Sequence, residues 1–316
     1  MAFANPTAAF TNADAVAFIP ETWSDIVNEP NFPKAVISNF VTDLSPFVAE
    51  DSDIVHVPDI YTNVFSVQTQ STQGNGVVDA SPTSVDTTLT VNLHKYVAWI
   101  MGDLTLKQLK KSYSLNEKYA REAKNLLTQA LEDSLFGLWS SITTNTVGDT
   151  ATVLTDLEIR EAINKLDTLN YDLTETAFFF HPYVYWMQVA GIQKYYDGSI
   201  STQNPGMIRT GNFGPMDFSR GYRGELYGQP IYTSSRVVSG LATYRNLLLH
   251  RSAFGFAIQS SGVASEMGGA ARIRVQSQYM LQNLGVLTVA DIIYGVAVLR
   301  EPAAVLVNAK TTATTS

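Results

Sequence analysis

Four histidines, at positions 56, 94, 181 and 250, are the side chains whose chemistry first invites a functional interpretation. Histidine binds metals and exchanges protons near neutral pH, but these four are scattered and lack the close spacing of metal ligands. The chain has no cysteine, which excludes a thiolate zinc site, a disulfide and a thiol nucleophile. His56 and His94 flank a predicted hairpin, and a structural pair across its base explains them better than a metal site.

The acidic residues and the known catalytic motifs give no candidate active site either. Glu132 and Asp133 are adjacent on a predicted helix, so their side chains point in different directions and do not form a paired acid and base. We interpret them as part of a solvated helix face. The sequence contains no serine-hydrolase elbow, zinc-protease helix motif or phosphate-binding glycine loop followed by lysine. We therefore expect no enzymatic activity, catalytic residue, cofactor or metal. The alternative, a hydrolase or transferase with an unrecognised site, requires convergent polar groups in one pocket.

Basic residues are concentrated in two segments. The glycine-rich segment from Arg209 to Arg223 contains three arginines, which indicates either phosphate contact or a surface loop with local ion pairs. A second group follows residue 103, and it either contacts DNA loosely or forms the solvated face of a helix. Its members are Lys107, Lys110, Lys111, Lys118, Arg121 and Lys124. The net charge of -8 argues against sequence-specific nucleic-acid binding, but it is compatible with a container whose wall faces nucleic acid.

The composition is that of a folded protein with sparse charge. Of the 316 residues, 45% are hydrophobic, enough for one large core or two moderate ones. Only 16% are charged, which suits a surface covered by partners and is nearly as compatible with an ordinary soluble protein. The N-terminus lacks the features of a secretory signal, and the apolar stretch 286–299 is too short for a membrane span and contains Asp291. We expect a soluble protein, and the lack of cysteine fits a reducing cytoplasm.

The elements that position these residues include one long hairpin. Alternating apolar residues flank a polar segment, 61–86, on both sides, and this period of two predicts the two strands. The alternating residues are Val55, Val57, Leu89, Val91 and Leu93. Arms of roughly a dozen residues project on the order of 40 Å. Because an isolated two-stranded hairpin is marginal in water, this arm needs a surface to lie on, and a neighbouring copy is the nearest candidate. The hairpin therefore points to an assembly subunit.

An extended arm precedes this hairpin, and a long helix follows it. Residues up to about 50 are punctuated by prolines, with one short helix predicted at 21–28. Asp103 begins a helical region, and the capping box Ser114–Glu117 starts a helix of about 27 residues with one apolar face. The aromatic residues of the arm make free disorder costly, so the arm must lie across the body of the protein or a neighbour.

The second half of the chain alternates helices and strands. A second capping box, Thr155–Glu158, starts a helix to about Asn170, and the AFFFH run at 177–181 predicts a buried strand. The other predicted elements are a short helix at 183–192, a glycine-rich loop at 198–223, and strands at 229–233, 247–250, 271–276 and 286–299.

Several short strings, taken in order, carry a resemblance. They are DIVHVP at 53–58, TLTVNLHK at 88–95 running into IMGD at 100–103, GELYGQPIYTS at 224–234, HRSAFGFA at 250–257 and YGVAVLREPAAVLV at 294–307. Each string is weak alone, but together they are collinear over nearly the whole chain. In these strings and in its order of elements, the chain resembles the major capsid proteins of tailed double-stranded DNA bacteriophages, which have the Hong Kong 97-like fold.

The resemblance implies an α+β fold with an N-terminal arm, an E-loop hairpin, a peripheral domain with a long spine helix, and an axial α/β domain. The implied division gives 1–50 to the arm and 51–95 to the E-loop. It gives 96–150 and 271–290 to the peripheral domain, and 151–270 and 291–316 to the axial domain and C-terminal tail.

The resemblance also implies a structural major capsid protein, which self-assembles as pentamers and hexamers into an icosahedral head enclosing double-stranded DNA. Such a protein is found in the virion and is assembled in the bacterial host cytoplasm. Its implied partners are further copies of itself, a separate scaffolding protein, portal and decoration proteins, and packaged DNA without sequence-specific contact, but no membrane. The E-loop would lie across a neighbour, the arm would tie subunits together, and the turn at 279–285 would sit where three capsomers meet. The alternative is an encapsulin-type nanocompartment shell protein.

Two departures from the family pattern alter these expectations. Some members form isopeptide cross-links from an E-loop lysine, but 61–86 contains no lysine, so we expect no covalent cross-linking here. Some members also carry an N-terminal helical scaffolding region. None precedes the arm in this sequence, which implies a separate scaffolding protein or a preceding segment absent from this sequence.

Overall fold

The computed structural model of this chain describes residues 35–48, 53–59, 85–108, 115–190, 192, 221–240, 243–259 and 273–311. The helices are α1 (Asp103–Gln108), α2 (Leu115–Gly137), α3 (Asp156–Thr168) and α4 (Pro182–Val184). The strands are β1 (Thr42–Asp43), β2 (Ile54–Asp59), β3 (Val85–Thr90), β4 (Leu93–Gly102), β5 (Thr146–Val147), β6 (Thr176–Phe180), β7 (Tyr222–Leu226), β8 (Gln229–Thr233), β9 (Thr243–His250), β10 (Phe254–Ile258), β11 (Arg274–Met280), β12 (Gly285–Val298) and β13 (Ala304–Lys310). Within the described residues these strands form a five-stranded sheet, a six-stranded sheet and a two-stranded hairpin.

The five-stranded sheet is organised around β12. Residues 285–291 of β12 pair antiparallel with both β4 and β11, so these two strands lie on opposite edges of β12. The last part of β12 pairs with β10, which pairs in parallel with β1. The long helix α2 packs on one face of this sheet, where Leu131 and Leu135 share a core with Ile292. This arrangement buries the apolar stripe that the helical spacing predicts.

The six-stranded sheet has the order β5-β13-β9-β6-β8-β7. All five residues of its strand β6 are buried. Since successive side chains of a strand point to opposite sides, both faces of β6 are covered. Phe179 faces the core that contains α2, whereas Phe178 and Phe180 face a second core that α3 covers with Ile159. The predicted buried strand at 177–181 is therefore confirmed, and it lies between these two cores.

The described parts of the predicted hairpin and of the capped helix agree with the sequence analysis. β2 and β3 pair antiparallel from Ile54 opposite Thr90 to Asp59 opposite Val85. At the start of α3, the Thr155 hydroxyl accepts from the Glu158 backbone N–H, and the Glu158 carboxylate accepts from the Thr155 N–H at 2.7 Å. The helix at 21–28, the hairpin beyond Asp59 and most of the loop at 198–223 lie outside the described residues.

Two predicted helices differ from the observed ones. The spine helix α2 has 23 residues rather than about 27, because it ends at Gly137, a poor helix former, and tightens into a 3₁₀ turn at Leu138–Ser141. The short helix predicted at 183–192 is a single α-turn, Pro182–Val184, followed by a π-helix, Tyr185–Val189. The end of the predicted glycine-rich loop is the start of strand β7.

The division of the chain into domains stays a prediction. Strand β12 continues unbroken through residue 291, where the predicted division places a boundary. A boundary after Val298 would keep β12 whole. None of the described helices combines the length and the apolar character needed to cross a bilayer.

Candidate assembly surfaces

The base of the hairpin is anchored on the five-stranded sheet by a small core of its own. Val55 and Leu89 of the hairpin pack with Leu44 of the arm segment and Ala257 of β10, and Ile293 of β12 lies against them. Leu89 is fully buried. The base of the hairpin is therefore fixed on the sheet.

The hairpin crosses β12 at Gly295 in direct backbone contact. A Cβ atom on Gly295 would lie 2.2 Å from the carbonyl oxygen of Thr90 and 2.9 Å from the Cα of Val91. Both distances are below any normal contact, and both neighbours are backbone atoms that no side-chain rotation would move away. Only glycine allows β3 to lie this close to β12.

We expect the Gly295→Ala variant to be less stable than the wild-type protein by about 1–3 kcal/mol, the usual cost of forcing extra atoms into a packed site. The hairpin base must lift away from β12 to admit the side chain. Urea unfolding measures the loss of stability, and limited proteolysis measures the loosening of the hairpin. Gly102→Ala is the matched control in the same sheet, because a Cβ there has no atom within 4 Å. Equal stability of the Gly295 and Gly102 variants would contradict this account.

The buried carboxylate of Glu132 holds the root of the N-terminal arm against the spine helix. One oxygen, Oε2, accepts from the backbone N–H groups of Val36 and Ile37 at 3.1 Å each, and Oε1 accepts from Ser38 N–H at 2.9 Å. Only 1% of Glu132 is exposed. Three N–H groups directed at one carboxylate form a compact anion-binding turn. We call this contact the arm clip.

The prediction that Glu132 and Asp133 share a solvated face is therefore wrong for Glu132. The arm segment at 36–41 packs against α2 and covers this side of the helix. Asp133 points elsewhere and pairs with Arg236, whose Nε donates to Oδ1 at 2.6 Å. The conclusion that the two carboxylates do not act as a pair is unchanged.

A second carboxylate, Glu301, joins the two chain segments that pass between the sheets. Its Oε1 accepts from the backbone N–H and the hydroxyl of both Thr143 and Thr144 at 2.8–3.0 Å. Beside it, the Asn145 side-chain amide donates to the Pro302 carbonyl at 3.0 Å. The hydrogen bonds from Thr143 and Thr144 lower the pKa of Glu301 to about 2. We call this contact the junction clip.

The lowered pKa of Glu301 predicts a contribution to acid stability. The pKa of Glu301 is about 2 in the folded protein and about 4.3 in an unfolded chain. The contribution of the Glu301 carboxylate to stability is therefore complete at a pH above the unfolded pKa, and it is lost as the pH falls through the folded pKa. We expect Glu301→Gln to be less stable than wild type at pH 7, with a difference that shrinks between about pH 4.5 and pH 2. Urea unfolding across this pH range measures the difference in stability, and the Glu161→Gln variant, at an exposed position, is the control. A difference that does not change with pH would contradict the assignment.

The histidines do not form the predicted pair. His56 lies opposite Thr88 and contacts the Asp86 carboxylate at 2.6 Å, while His94 contacts Asp291 at 2.9 Å. The predicted pairing is wrong because each ring has a carboxylate partner of its own. Among the described residues, no group of three or more histidines and carboxylates has the arrangement of a metal site.

The buried carboxylate of Asp291 on β12 is the centre of a charge network with two partly exposed partners. Arg274 donates to both of its oxygens, at 2.9 and 2.6 Å, and His94 adds the third contact. Burial, the largest single influence, raises the pKa of Asp291, but the hydrogen bonds and charges of Arg274 and His94 together outweigh it and lower the pKa. This network ties β11 to β12 at the start of β11.

An exposed apolar surface lies at the turn between β11 and β12. Leu281 and Leu284 are 80% and 63% exposed, and Leu104 at the start of α1 is 70% exposed. The turn is held against α1, because Asp103 N–H donates to the Leu284 carbonyl at 2.9 Å and the Tyr279 hydroxyl donates to Asp103 at 2.7 Å. Leu284 adopts a positive φ of 44°, which is rare for this residue type. We call these three leucines the tip surface.

A second exposed apolar surface lies on the π-helix. Trp186 and Met187 are both more than half exposed, and the Arg223 guanidinium lies 5.8 Å from the Trp186 ring centroid. Single π-turns are frequent at functional sites, and exposed tryptophan beside arginine is typical of the centre of protein interfaces. We call Trp186 and Met187 the π-helix patch.

The two basic segments are only partly described. Lys107, Arg121 and Lys124 are exposed on α1 and α2, whereas Lys110 and Lys111 lie outside the described residues. Of the three arginines between 209 and 223, only Arg223 is described, and its Nε donates to the Thr233 hydroxyl at 2.9 Å. Arg223 thus has a structural partner.

Solved structures with this architecture come from phages and related shells. A chain of Mycobacterium phage Che8 matches with a TM-score of 0.69 and 17% identity over 92% of this chain and 97% of its own. The capsid of cyanophage P-SCSP1u matches with a TM-score of 0.68 and 11% identity over 93% of both chains. The chain has the Hong Kong 97-like fold. The predicted α+β fold class is confirmed.

The same fold also occurs in a nanocompartment. The holo-SrpI encapsulin complex from Synechococcus elongatus matches with a TM-score of 0.65 and 13% identity over 98% of this chain and 99% of its own. No protein-family model and no curated protein matches the chain by sequence.

Neither carboxylate clip was predicted from the sequence. Glu132 was visible only as one of two adjacent acids, and Glu301 only as part of the string REPAA. A glutamate on the apolar side of a helix pattern is the available signal for the arm clip. The two adjacent threonines, Thr143 and Thr144, give no comparable signal, because their partner lies more than 150 residues away.

Proposed function

We propose that this chain is the major structural subunit of an icosahedral phage head, built from pentamers and hexamers around double-stranded DNA. The observation that carries the proposal is a fold shared with a phage capsid over 93% of the chain. The hairpin base, anchored on the five-stranded sheet, and the exposed leucines of the tip surface support it, because clustered exposed apolar residues are typical of protein interaction sites. The role is structural, without catalysis or cofactor.

In this proposal the principal partner is another copy of the same chain. The hairpin lies across a neighbour in the same capsomer, and the arm ties subunits together beyond the arm clip. The tip surface meets its equivalents where three capsomers join, and the π-helix patch contacts neighbours around the local symmetry axes. Contacts of standard size bury about 1,600 Å² each, and symmetry multiplies them over the shell.

The remaining partners follow from the same proposal. A separate scaffolding protein, a portal and decoration proteins act with the shell, and no membrane is involved. The exposed basic residues of α2 face packaged DNA without reading its sequence, since counterion release needs only charge. Assembly takes place in the bacterial host cytoplasm, and the mature protein resides in the virion.

An encapsulin-type shell is the second candidate, and the match to the SrpI encapsulin favours it. The content of shells isolated from the cells that make this protein distinguishes the two. A phage head protects double-stranded DNA from added nuclease, whereas a nanocompartment contains a protein cargo. Shells that hold cargo protein and no DNA would replace the first candidate with the second.

Sedimentation velocity of the purified chain tests the role of the tip surface in assembly. The wild-type protein should form capsomer-sized or larger species as its concentration rises. The double variant Leu281→Asp with Leu284→Asp should remain folded and lose the largest species. Leu157→Asp changes an equally exposed leucine on α3 and is the control. A wild-type protein that stays monomeric with added phage scaffold would contradict the proposed function.

A further inference from the structure

Strand β11 presents a long, regular edge at one side of the five-stranded sheet. It pairs with β12 in an unbroken antiparallel register from Arg274 opposite Asp291 to Met280 opposite Gly285. Among the residues that the structure describes, no strand pairs with its other edge. Its five central residues, 275–279, are all exposed. The backbone N–H and C=O groups along this edge are therefore available to another strand.

Several other sheet edges carry features that discourage strand addition, and β11 lacks them. β1 and β5 have only two residues each, β7 has a register shift after Tyr222, and β4 carries Lys95. Short strands, irregular register and lysine are the usual protections of an edge against a second strand. The one charged residue of β11, Arg274, is held by Asp291 of its own chain. The edge of β11 is thus unprotected.

The sequence of β11 is complementary to itself in the antiparallel orientation. The strand reads RVQSQYM from 274 to 280, and Ser277 is its midpoint. When two copies run in opposite directions with Ser277 beside Ser277, Gln276 of each copy lies opposite Gln278 of the other. Facing glutamines hydrogen-bond through their side-chain amides, as they do in glutamine ladders. The polar centre of the strand therefore matches a second copy of itself.

The outer residues of the strand match in the same register. Val275 and Tyr279, each 44% exposed in a single copy, lie opposite each other in two symmetric pairs. Aromatic and β-branched residues are favourable partners across neighbouring strands. Arg274 lies opposite Met280, so the pairing brings no like charges face to face. Any shifted register leaves part of the strand unpaired and breaks these matches.

The symmetry of such a contact fits a shell wall. Two antiparallel copies of one strand are related by a two-fold axis that runs roughly perpendicular to the joined sheet. This axis keeps α2 of both subunits on the same side of the wall, because α2 packs on one face of the five-stranded sheet. It also directs the two β11–β12 turns, which carry Leu281 and Leu284 of the tip surface, toward opposite ends of the contact. A boundary between two capsomers has this symmetry, with a junction of three capsomers at each end.

We propose that β11 joins neighbouring capsomers by pairing antiparallel with β11 of a second copy, across a two-fold axis at Ser277. The inference rests on the proposed shell function and specifies one contact that connects its capsomers. Backbone hydrogen bonds supply the binding, and the glutamine pairs and the valine–tyrosine pairs fix the register. The contact turns two five-stranded sheets into one continuous sheet.

Cysteine cross-linking in assembled shells tests the contact and its register, and the natural chain contributes no cysteine of its own. Ser277→Cys subunits should form disulfide-linked dimers under mild oxidation, because opposite residues of paired strands lie within disulfide distance. Gln276→Cys alone and Gln278→Cys alone are the matched controls, since like positions are offset by two residues along the strands. An equal mixture of these two variants should give at least about tenfold more dimer than either variant alone.

The two cross-linking tests complement each other. Directly opposite residues in antiparallel strands alternate between hydrogen-bonded pairs and more closely spaced non-hydrogen-bonded pairs. Ser277 with Ser277 and Gln276 with Gln278 are successive pairs, so one of them is the closer type. A disulfide is therefore expected in at least one of the two tests if the strands pair in this register.

Charge variants at the two-fold axis test the same contact through assembly. Ser277→Lys and Ser277→Glu each place two like charges face to face, so each should give folded capsomers and a loss of shells. An equal mixture of the two variants should recover shells, because opposite charges then meet at the axis. Only a contact of this position with itself predicts such recovery, and another strand bound to this edge does not.

The possible results separate this contact from the shell function. Normal shells that give no dimer in either cross-linking test overturn the strand pairing and leave the shell function intact. Equal dimer yields from Gln276→Cys alone and from the mixture overturn the register. Ser277→Lys subunits that form shells as well as wild type overturn the role of the edge in assembly, and a lysine–glutamate mixture without recovery overturns self-pairing. A wild-type chain that never assembles removes both proposals.

Discussion

The Glu132→Ala variant is expected to lose about 3 kcal/mol or more of unfolding free energy, because it leaves two buried backbone N–H groups and one part-buried N–H group without an acceptor at roughly 1–3 kcal/mol each. The loss is larger than for a typical surface substitution, since Glu132 is almost completely buried. The arm root at 36–38 should also become accessible to proteases. Urea unfolding and limited proteolysis measure the two effects.

The adjacent residue offers a matched control for this prediction. Asp133→Ala removes a partly exposed ion pair with Arg236, and such pairs contribute about 0–1 kcal/mol. Glu132→Gln should fall between the two variants, because its amide keeps one acceptor oxygen and directs a donor group toward the other N–H groups. Equal stabilities of the Glu132→Ala and Asp133→Ala variants would show that the arm clip does not anchor the arm.

Deletion of Thr69–Ser81 is expected to leave a folded subunit that assembles poorly. The deletion lies beyond the hairpin base, whose buried residues Val55 and Leu89 remain in place. It removes the segment that we propose to lie on a neighbour. Circular dichroism and thermal unfolding should match those of the wild type, whereas sedimentation should show loss of capsomers and shells.

A replacement variant separates the sequence of this segment from its length. Substituting 69–81 with glycine and serine keeps the reach of the arm and removes its strand-forming side chains. We expect this variant to assemble almost as poorly as the deletion. Normal shells from the deleted chain would contradict the role of the hairpin as an intersubunit clamp.

Local patterns were sufficient to predict most elements of the fold. The capping box at Thr155 and the apolar run of β6 depend on neighbours in sequence, and both predictions are confirmed. The hairpin base was also predictable, because period-two alternation fixes which side chains share a face. The end of α2 was less predictable, since Gly137 is tolerated within a helix and terminates one only in context.

Contacts between distant segments explain what the sequence analysis missed. Glu132 meets the arm 94–96 residues away, and Glu301 meets Thr143 and Thr144 over 157–158 residues. A single sequence shows an acidic residue but not the backbone N–H groups that reach it. Gly295 is a similar case, because its requirement for glycine arises from Thr90 on a crossing strand.

Negative-stain electron microscopy of the purified protein, read together with its sedimentation profile, tests the central claim most directly. We expect closed shells of uniform diameter, formed by the chain alone or after addition of phage scaffold or lysate. The diameter then limits the number of subunits that a shell can contain. A small discrete species that forms no shell under either condition would contradict the assignment of this chain as a shell subunit.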